Sequence, residues 1–243
     1  MKTYIINSQQ ELEQFKDDYG YYVNGNLEVN GSLDIKKRLK VDGYIEAGGY
    51  IEVCEYIKAG GYIEVCEYIK AGGSIEAGEY IKAGGYIKAG GYIDARGSIE
   101  AGEYIKAVWY IDAGWYIKAG GYIEVCEYIK ARGSIEASGS IKAGGYIEAG
   151  RYIKAGVFYG ISAGLQITCK ETLEFGLKCF AGVLTWREIT EEEKTITCGK
   201  LEGGVIEYGI LKETGIEEDK VKVVCDGREV WISKESAKEL FGN

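Results

Sequence analysis

The sequence predicts an all-β fold: a parallel β-solenoid, three-sided with about 18 residues per coil, carrying a short N-terminal helical cap and a small C-terminal α+β module. Three observations carry this expectation. Residues 43–156 are nineteen consecutive hexads, GYIEAG, GYIEVC, EYIKAG and so on to RYIKAG. Within each hexad apolar and polar positions alternate, the signature of a half-buried strand. The charged positions form columns of alternating sign when the chain is folded at three hexads per turn.

In every hexad the third position is isoleucine, from Ile45 to Ile153, and the fifth is alanine except at Val53, Val65 and Val125. The second is tyrosine except at Ser74, Ser98, Ser134 and Ser140, and the fourth is always charged. A period of six is out of step with 3.6 residues per turn, and a helix would carry glycine in almost every turn. As a strand, Tyr-Ile-Glu-Ala puts isoleucine and alanine on one face, tyrosine and the charged residue on the other. The charged face is solvent, and tyrosine shares it; exchange with serine at four hexads agrees, because a core site would not accept that loss of volume. Glycine at positions six and one supplies the corners, where positive φ is expected. Short strands that cannot hold a core alone, joined by corners, stack into a solenoid.

Stacked coils place equivalent positions about 4.8 Å apart. At three hexads per coil, the column Glu64, Lys82, Glu100, Lys118, Glu136, Lys154 alternates throughout. At four hexads per coil, Glu52, Glu76, Glu100, Glu124 and Glu148 would stack instead, beside an all-lysine column from Lys58 to Lys154. Like charges directly opposite destabilise, which favours three sides. Sequence identity nonetheless peaks at spacings of twelve and twenty-four, as in GYIEVCEYIKAG at 49–60 and 61–72; duplication history accounts for that peak.

The register extends through GNLEVN, GSLDIK and KRLKVD at 25–42 and into VFYGIS and AGLQIT at 157–168. Roughly eight coils, about 40 Å in all, are expected. Residues 1–18 read as an N-terminal cap, in which Ser8 and Glu11 form a capping box opening a helix to about Phe15. Residues 19–168 form the solenoid and 169–243 a C-terminal capping module, with a hairpin over Val221–Ser233 around Asp226-Gly227 and a helix over Lys234–Phe241.

Composition bounds the chemistry. The chain of 243 residues has no histidine and no proline, with 37 glycines and 21 tyrosines. Without histidine it lacks the usual general base near neutral pH and the commonest metal ligand. No catalytic, cofactor-binding or metal-ligating residue is assigned, and the expectation is that the protein is not an enzyme. A net charge of −9 argues against nucleic acid as a partner. The N-terminus has no apolar run of signal-peptide length, and nowhere do 18 apolar residues follow one another, so a soluble cytoplasmic protein without a membrane partner is expected. The seven cysteines, at 54, 66, 126, 169, 179, 198 and 225, are odd in number and form no CxxC pair, which points to reduced thiols.

The hexads resemble the hexapeptide-repeat β-helix families, and with the extended register of residues 25–168 the resemblance covers about 60% of the chain. Those families include acyltransferases and a carbonic-anhydrase type, and the resemblance implies catalysis through histidines, of which this chain has none. The order of core residues also departs from that pattern, since Ile45 here precedes the small Ala47. The resemblance is one of fold.

Trp109 and Trp115 stand out because they replace glycine at neighbouring corners, in WYIDAGWYIKAG, where the solenoid needs no bulk. Together with Tyr110 and Tyr116 they form the candidate partner-binding residues; exposed aromatics suit either a partner or a contact with the C-terminal module. The tyrosine columns admit two readings, a binding surface or ring stacking that stabilises neighbouring coils. Between 43 and 156 there are fifteen acidic and twelve basic residues, no sustained negative stripe and no threonine, which leaves nucleic-acid mimicry and ice binding without support. The expected function is a non-catalytic protein–protein binder, a monomer or small homo-oligomer, with a basic partner as for a bacterial or phage-encoded inhibitor or toxin-immunity protein. The alternative is a structural protein that assembles into filaments.

Overall fold

The computed structural model describes residues 1–215 and the backbone of 220–225 and 228–233. Three parallel sheets of 11, 10 and 12 strands form the sides of a triangular coil that repeats about eleven times. The first face begins at Thr3–Ile6, the second at Leu33–Ile35 and the third at Lys16–Asp17, which pairs antiparallel with Gly20–Val23 before the parallel run starts. Each hexad contributes one three-residue strand, such as Ile63–Val65, Ile69–Ala71 and Ile75–Ala77, to successive faces. Ile63 pairs with Ile45 below and Ile81 above, which sets the coil at three hexads.

Alternation explains the interior. Every hexad isoleucine is fully buried and the fifth-position alanines and valines are buried with it, in one continuous core from Ile6 to Cys198. Successive coils are tied through backbone groups outside the strands as well: the Ile63 N–H donates to the Tyr80 carbonyl at 2.9 Å, and the Gly60 N–H to that of Val41 at 2.9 Å. A chain that uses its N–H groups so fully has little room for proline.

The glycine corners correct one expectation. The positive-φ glycines, Gly20, Gly25, Gly182, Gly203, Gly204, Gly209 and Gly215, all lie outside the hexads. At Gly78 what crowds a side chain is the coil beneath, because a Cβ there would run into the Gly60 carbonyl oxygen. Arg96 and Arg132 occupy that same corner, and their N–H bonds to the previous coil are 3.3 and 3.2 Å, against 3.0 Å at Gly78 and Gly150. The chain yields locally where a Cβ is present.

Both ends depart from the expected boundaries. Thr3–Ile6 already pairs in parallel with Asn26–Val29, so the cap of residues 1–18 contributes a solenoid strand before its helix. That helix spans Gln9–Leu12 and continues as a 3₁₀ turn over Glu13–Phe15. Ser8 makes no side-chain cap bond. Glu11 reaches back one residue further, accepting the Asn7 N–H at 2.9 Å, while Leu12 closes over the core.

At the other end the parallel sheets continue past residue 168 to Ile210–Glu213, so the solenoid runs into the segment expected as a separate module. The hexad period fails there because of insertions. Ile141 pairs with Ile161, and Ile167 with Ile196, the second after a long excursion between Ala181 and Thr195. The last coil shortens, with Ile196, Leu201, Ile206 and Leu211 as its successive inward residues. Lys220–Cys225 and Arg228–Ser233 pair antiparallel as the expected hairpin; the expected helix over 234–241 lies outside the described residues. No helix among the described residues is long and apolar enough to cross a membrane.

Candidate binding surface

The outer surface is built from two kinds of column. Tyrosines stack coil upon coil: Tyr44–Tyr62–Tyr80, Tyr50–Tyr68–Tyr86–Tyr104–Tyr122 and Tyr92–Tyr110–Tyr128–Tyr146. Ring centroids are 4.6 Å apart at Tyr68–Tyr86 and 5.0 Å at Tyr104–Tyr122, with planes within 10° of parallel. The spacing is that of the strands themselves, so the backbone imposes the stack. On the first face each hydroxyl donates to the carboxylate of the coil below, Tyr44 to Glu28 at 2.6 Å, Tyr62 to Glu46 and Tyr80 to Glu64 at 2.8 Å. Burial, followed by the Glu64 bond, pushes the Tyr80 phenol up to about 12.

Charged columns run beside the rings. Lys82 meets Glu64 at 2.9 Å, Lys70 meets Glu52 at 2.7 Å and Lys106 meets Glu124 at 3.1 Å, all between adjacent coils. The alternation breaks at several places, among them Glu28, Glu46 and Glu64 on the first face, and two of the breaks lie at the same height. Lys70, Lys88 and Lys106 stack on the second face, and Glu76, Asp94 and Asp112 on the third. Partial burial, then the Asp112 and Glu76 charges, raise the Asp94 carboxyl above its ordinary range.

The four predicted contact residues do not form one patch. Trp109 and Tyr110 stand at the corner leading into the third-face strand Ile111–Ala113, and Trp115 and Tyr116 at the next corner, leading into the first-face strand Ile117–Ala119. Both indoles are open to solvent, 54% for Trp109 and 69% for Trp115, with Val108 beside the first. Tyr110 is a half-buried member of the Tyr92–Tyr146 stack. Tyr116 has serine on the coils to either side, Ser98 and Ser134, and its hydroxyl lies 3.3 Å from Glu100.

Further exposed aromatics were hidden by the failing period. The insertion after Gly156 presents Val157 and Phe158, and the excursion beyond Ala181 presents Trp186, 73% exposed. Trp186 borders a hollow of about 440 Å³ with Tyr146, Leu165 and Leu184. That hollow shares a corner with Trp109, since the Glu127 N–H bonds the Trp109 carbonyl, Gly145 that of Glu127 and Leu165 that of Gly145. Trp186 follows Leu184-Thr185 in a stretch without alternation, and only its being tryptophan in a loop marked it.

Among the described residues no group of three or more histidine, cysteine or acidic side chains is arranged to hold a metal ion. Cys54, Cys66 and Cys126 are exposed at corners, while Cys169, Cys179 and Cys198 are buried. Burial pushes the Cys169 and Cys179 thiols up to about 12, which leaves them protonated and unreactive. A groove on the first face is lined by Glu28, Glu46 and Glu64, each of which already accepts a tyrosine hydroxyl.

Comparison with known protein families, curated proteins and solved structures finds no match to this chain.

Proposed function

We propose that this protein is a non-catalytic β-solenoid that binds another protein through its exposed aromatic corners, with Trp109 and Trp115 as anchors. The observation that carries the reading is the placement of two solvent-open indoles where the repeat otherwise puts glycine, glutamate or, once, arginine, on a scaffold held by bonds between every pair of coils. Tryptophan dominates interface hot spots, and a rigid scaffold spares the ordering entropy of binding. Because the indoles occupy successive corners, the partner either spans one side of the coil or contacts one corner only. The net charge of −9 suits a basic partner, and inhibition of a basic protein, as by a toxin-immunity or phage-encoded inhibitor in the cytoplasm, is the role of this class that fits best.

Capture from native lysate with wild type, Trp109→Ala, Trp115→Ala and the double variant tests this. The proteins retained by wild type are expected to fall at least tenfold with one or both variants while thermal melting is unchanged. An unchanged set with the double variant removes the tryptophans from the reading.

A further inference from the structure

We infer that the gap in the tyrosine stack at Ser98 is a binding slot for one phenolic ring, held face to face between Tyr80 and Tyr116. The inference goes beyond the protein-binding reading and does not depend on it.

The slot follows from the register. On the first face Tyr44, Tyr62 and Tyr80 follow one another at 4.8 and 4.7 Å with planes 2° apart. The next coil supplies Ser98, and the one after it Tyr116. Tyr116 takes up the same pose as Tyr80: each hydroxyl is directed to the carboxylate sixteen residues earlier, Glu64 at 2.8 Å and Glu100 at 3.3 Å. The coils cannot close over the missing ring, because the Ile81 N–H bonds the Ser98 carbonyl at 2.9 Å and the Ile99 N–H bonds that of Tyr116 at 2.9 Å. Two facing rings therefore stand two strand spacings apart, about 9.6 Å. The stack elsewhere fits one ring into that interval.

The walls say what kind of ring. A hollow of about 320 Å³ opens at Ser98 between Tyr80 and Tyr116, with Ile81 at its base and Glu64, Lys82 and Glu100 at the end where the tyrosine hydroxyls lie. A second of about 360 Å³ joins it through Tyr80 and Ser98 and is bordered by Arg96 and Trp115. The charged residue sixteen before Ser98 is Lys82, where Tyr80 and Tyr116 have carboxylates. An occupant's oxygen would thus accept from the Lys82 ammonium, and its proton would go to Glu64 or Glu100. A neutral phenol meets Lys82 as an acceptor and one of the two carboxylates as a donor. An anionic ring meets two carboxylates for one ammonium, and an unsubstituted ring leaves Lys82 without a new acceptor. Trp115 borders the adjoining hollow and adds apolar surface there.

p-Cresol, the tyrosine side chain itself, is the probe, titrated against the full chain and followed by ligand-observed NMR. Saturable binding with Kd on the order of 1 mM is expected for so small a ligand. Its puckered counterpart 4-methylcyclohexanol is expected to bind at least tenfold more weakly, since it is thicker than one ring. Ser98→Tyr fills the slot and, combined with Ser134→Tyr to fill the matching gap between Tyr116 and Tyr152, is expected to abolish p-cresol binding while raising Tm. Tyr116→Ala removes one wall and is expected to weaken binding at least tenfold, which keeps the test decisive where Ser98→Tyr does not fold. Absence of saturable p-cresol binding, equal binding of the cyclohexanol, or binding unaffected by both variants would overturn the slot. N-acetyltyrosinamide distinguishes the source: binding at least as tight as p-cresol assigns the slot to a tyrosine side chain of another chain, and binding of p-cresol alone assigns it to free phenols.

Discussion

At the residue scale, the charge at position four reports the stacking most sharply. The side chain itself is solvated, yet its neighbours are fixed by coils three hexads away. Asp94 lies between Glu76 and Asp112, and its carboxyl is held above the ordinary range by burial and by those charges. A raised value in the folded state means that folding favours the protonated form. The associated stability is present below the ordinary aspartate value and is lost as pH rises through the raised one. Asp94→Asn is therefore expected to stabilise the protein at neutral pH by about 0.5 kcal/mol, a like-charge contact being worth a few tenths to one. Thermal melts across acidic pH check this, with the gain shrinking as the wild-type carboxyl becomes protonated. The same scale shows where reading residues singly misleads. The hexad glycines look like positive-φ turn residues, yet where glycine is needed, as at Gly78, the need is steric, set by a carbonyl of the preceding coil.

At the scale of the element, the tyrosine column behaves as a unit. Each ring is half-buried by its neighbours, so ionising one phenol places a charge against apolar ring faces and, on the first face, beside a carboxylate. Tyr80 and Tyr128 are both pushed up to about 12, in each case first by burial. The unfolded chain releases those protons near pH 10. Between that pH and the raised values the unfolded state binds fewer protons than the folded one, and stability falls as pH rises. Cooperative unfolding is expected between about pH 10 and 12, with tyrosinate absorbance and loss of β-sheet circular dichroism rising together. Tyrosines that titrate fully before the sheet signal changes would show that the stacks contribute nothing. Ring stacking and a binding surface are then compatible: an intact column stabilises coils, and a column interrupted by serine offers its exposed faces.

At the scale of the whole molecule, the parallel stack must end somewhere, since open strand edges template further pairing. Leu12 and its short helix close over the core at the beginning of the chain. Toward the other end the coil narrows, and Ile196, Leu201, Ile206 and Leu211 sit at five-residue intervals where six-residue intervals had been. A filament would require both ends to accept another copy. Sedimentation over a concentration series is expected to give a monomer or one small oligomer, and a distribution of lengths would favour the filament alternative.

By itself, the sequence determined the alternation that buries Ile45 to Ile153, the three sides, and the three-hexad coil that pairs Lys82 with Glu64 and with Glu100. These are legible because period and charge complementarity are written along the chain and need only the strand spacing to be read. The five-residue spacing of Ile196 to Leu211 was equally present, but insertions broke its register with the hexads and concealed that the sheets continue. Only the tertiary structure decided that the hollow beside Trp186 shares a corner with Trp109, why Gly78 lacks a side chain, and that a hollow opens at Ser98 between Tyr80 and Tyr116. Those facts depend on distances between coils, and backbone hydrogen bonds between residues far apart in the chain set them.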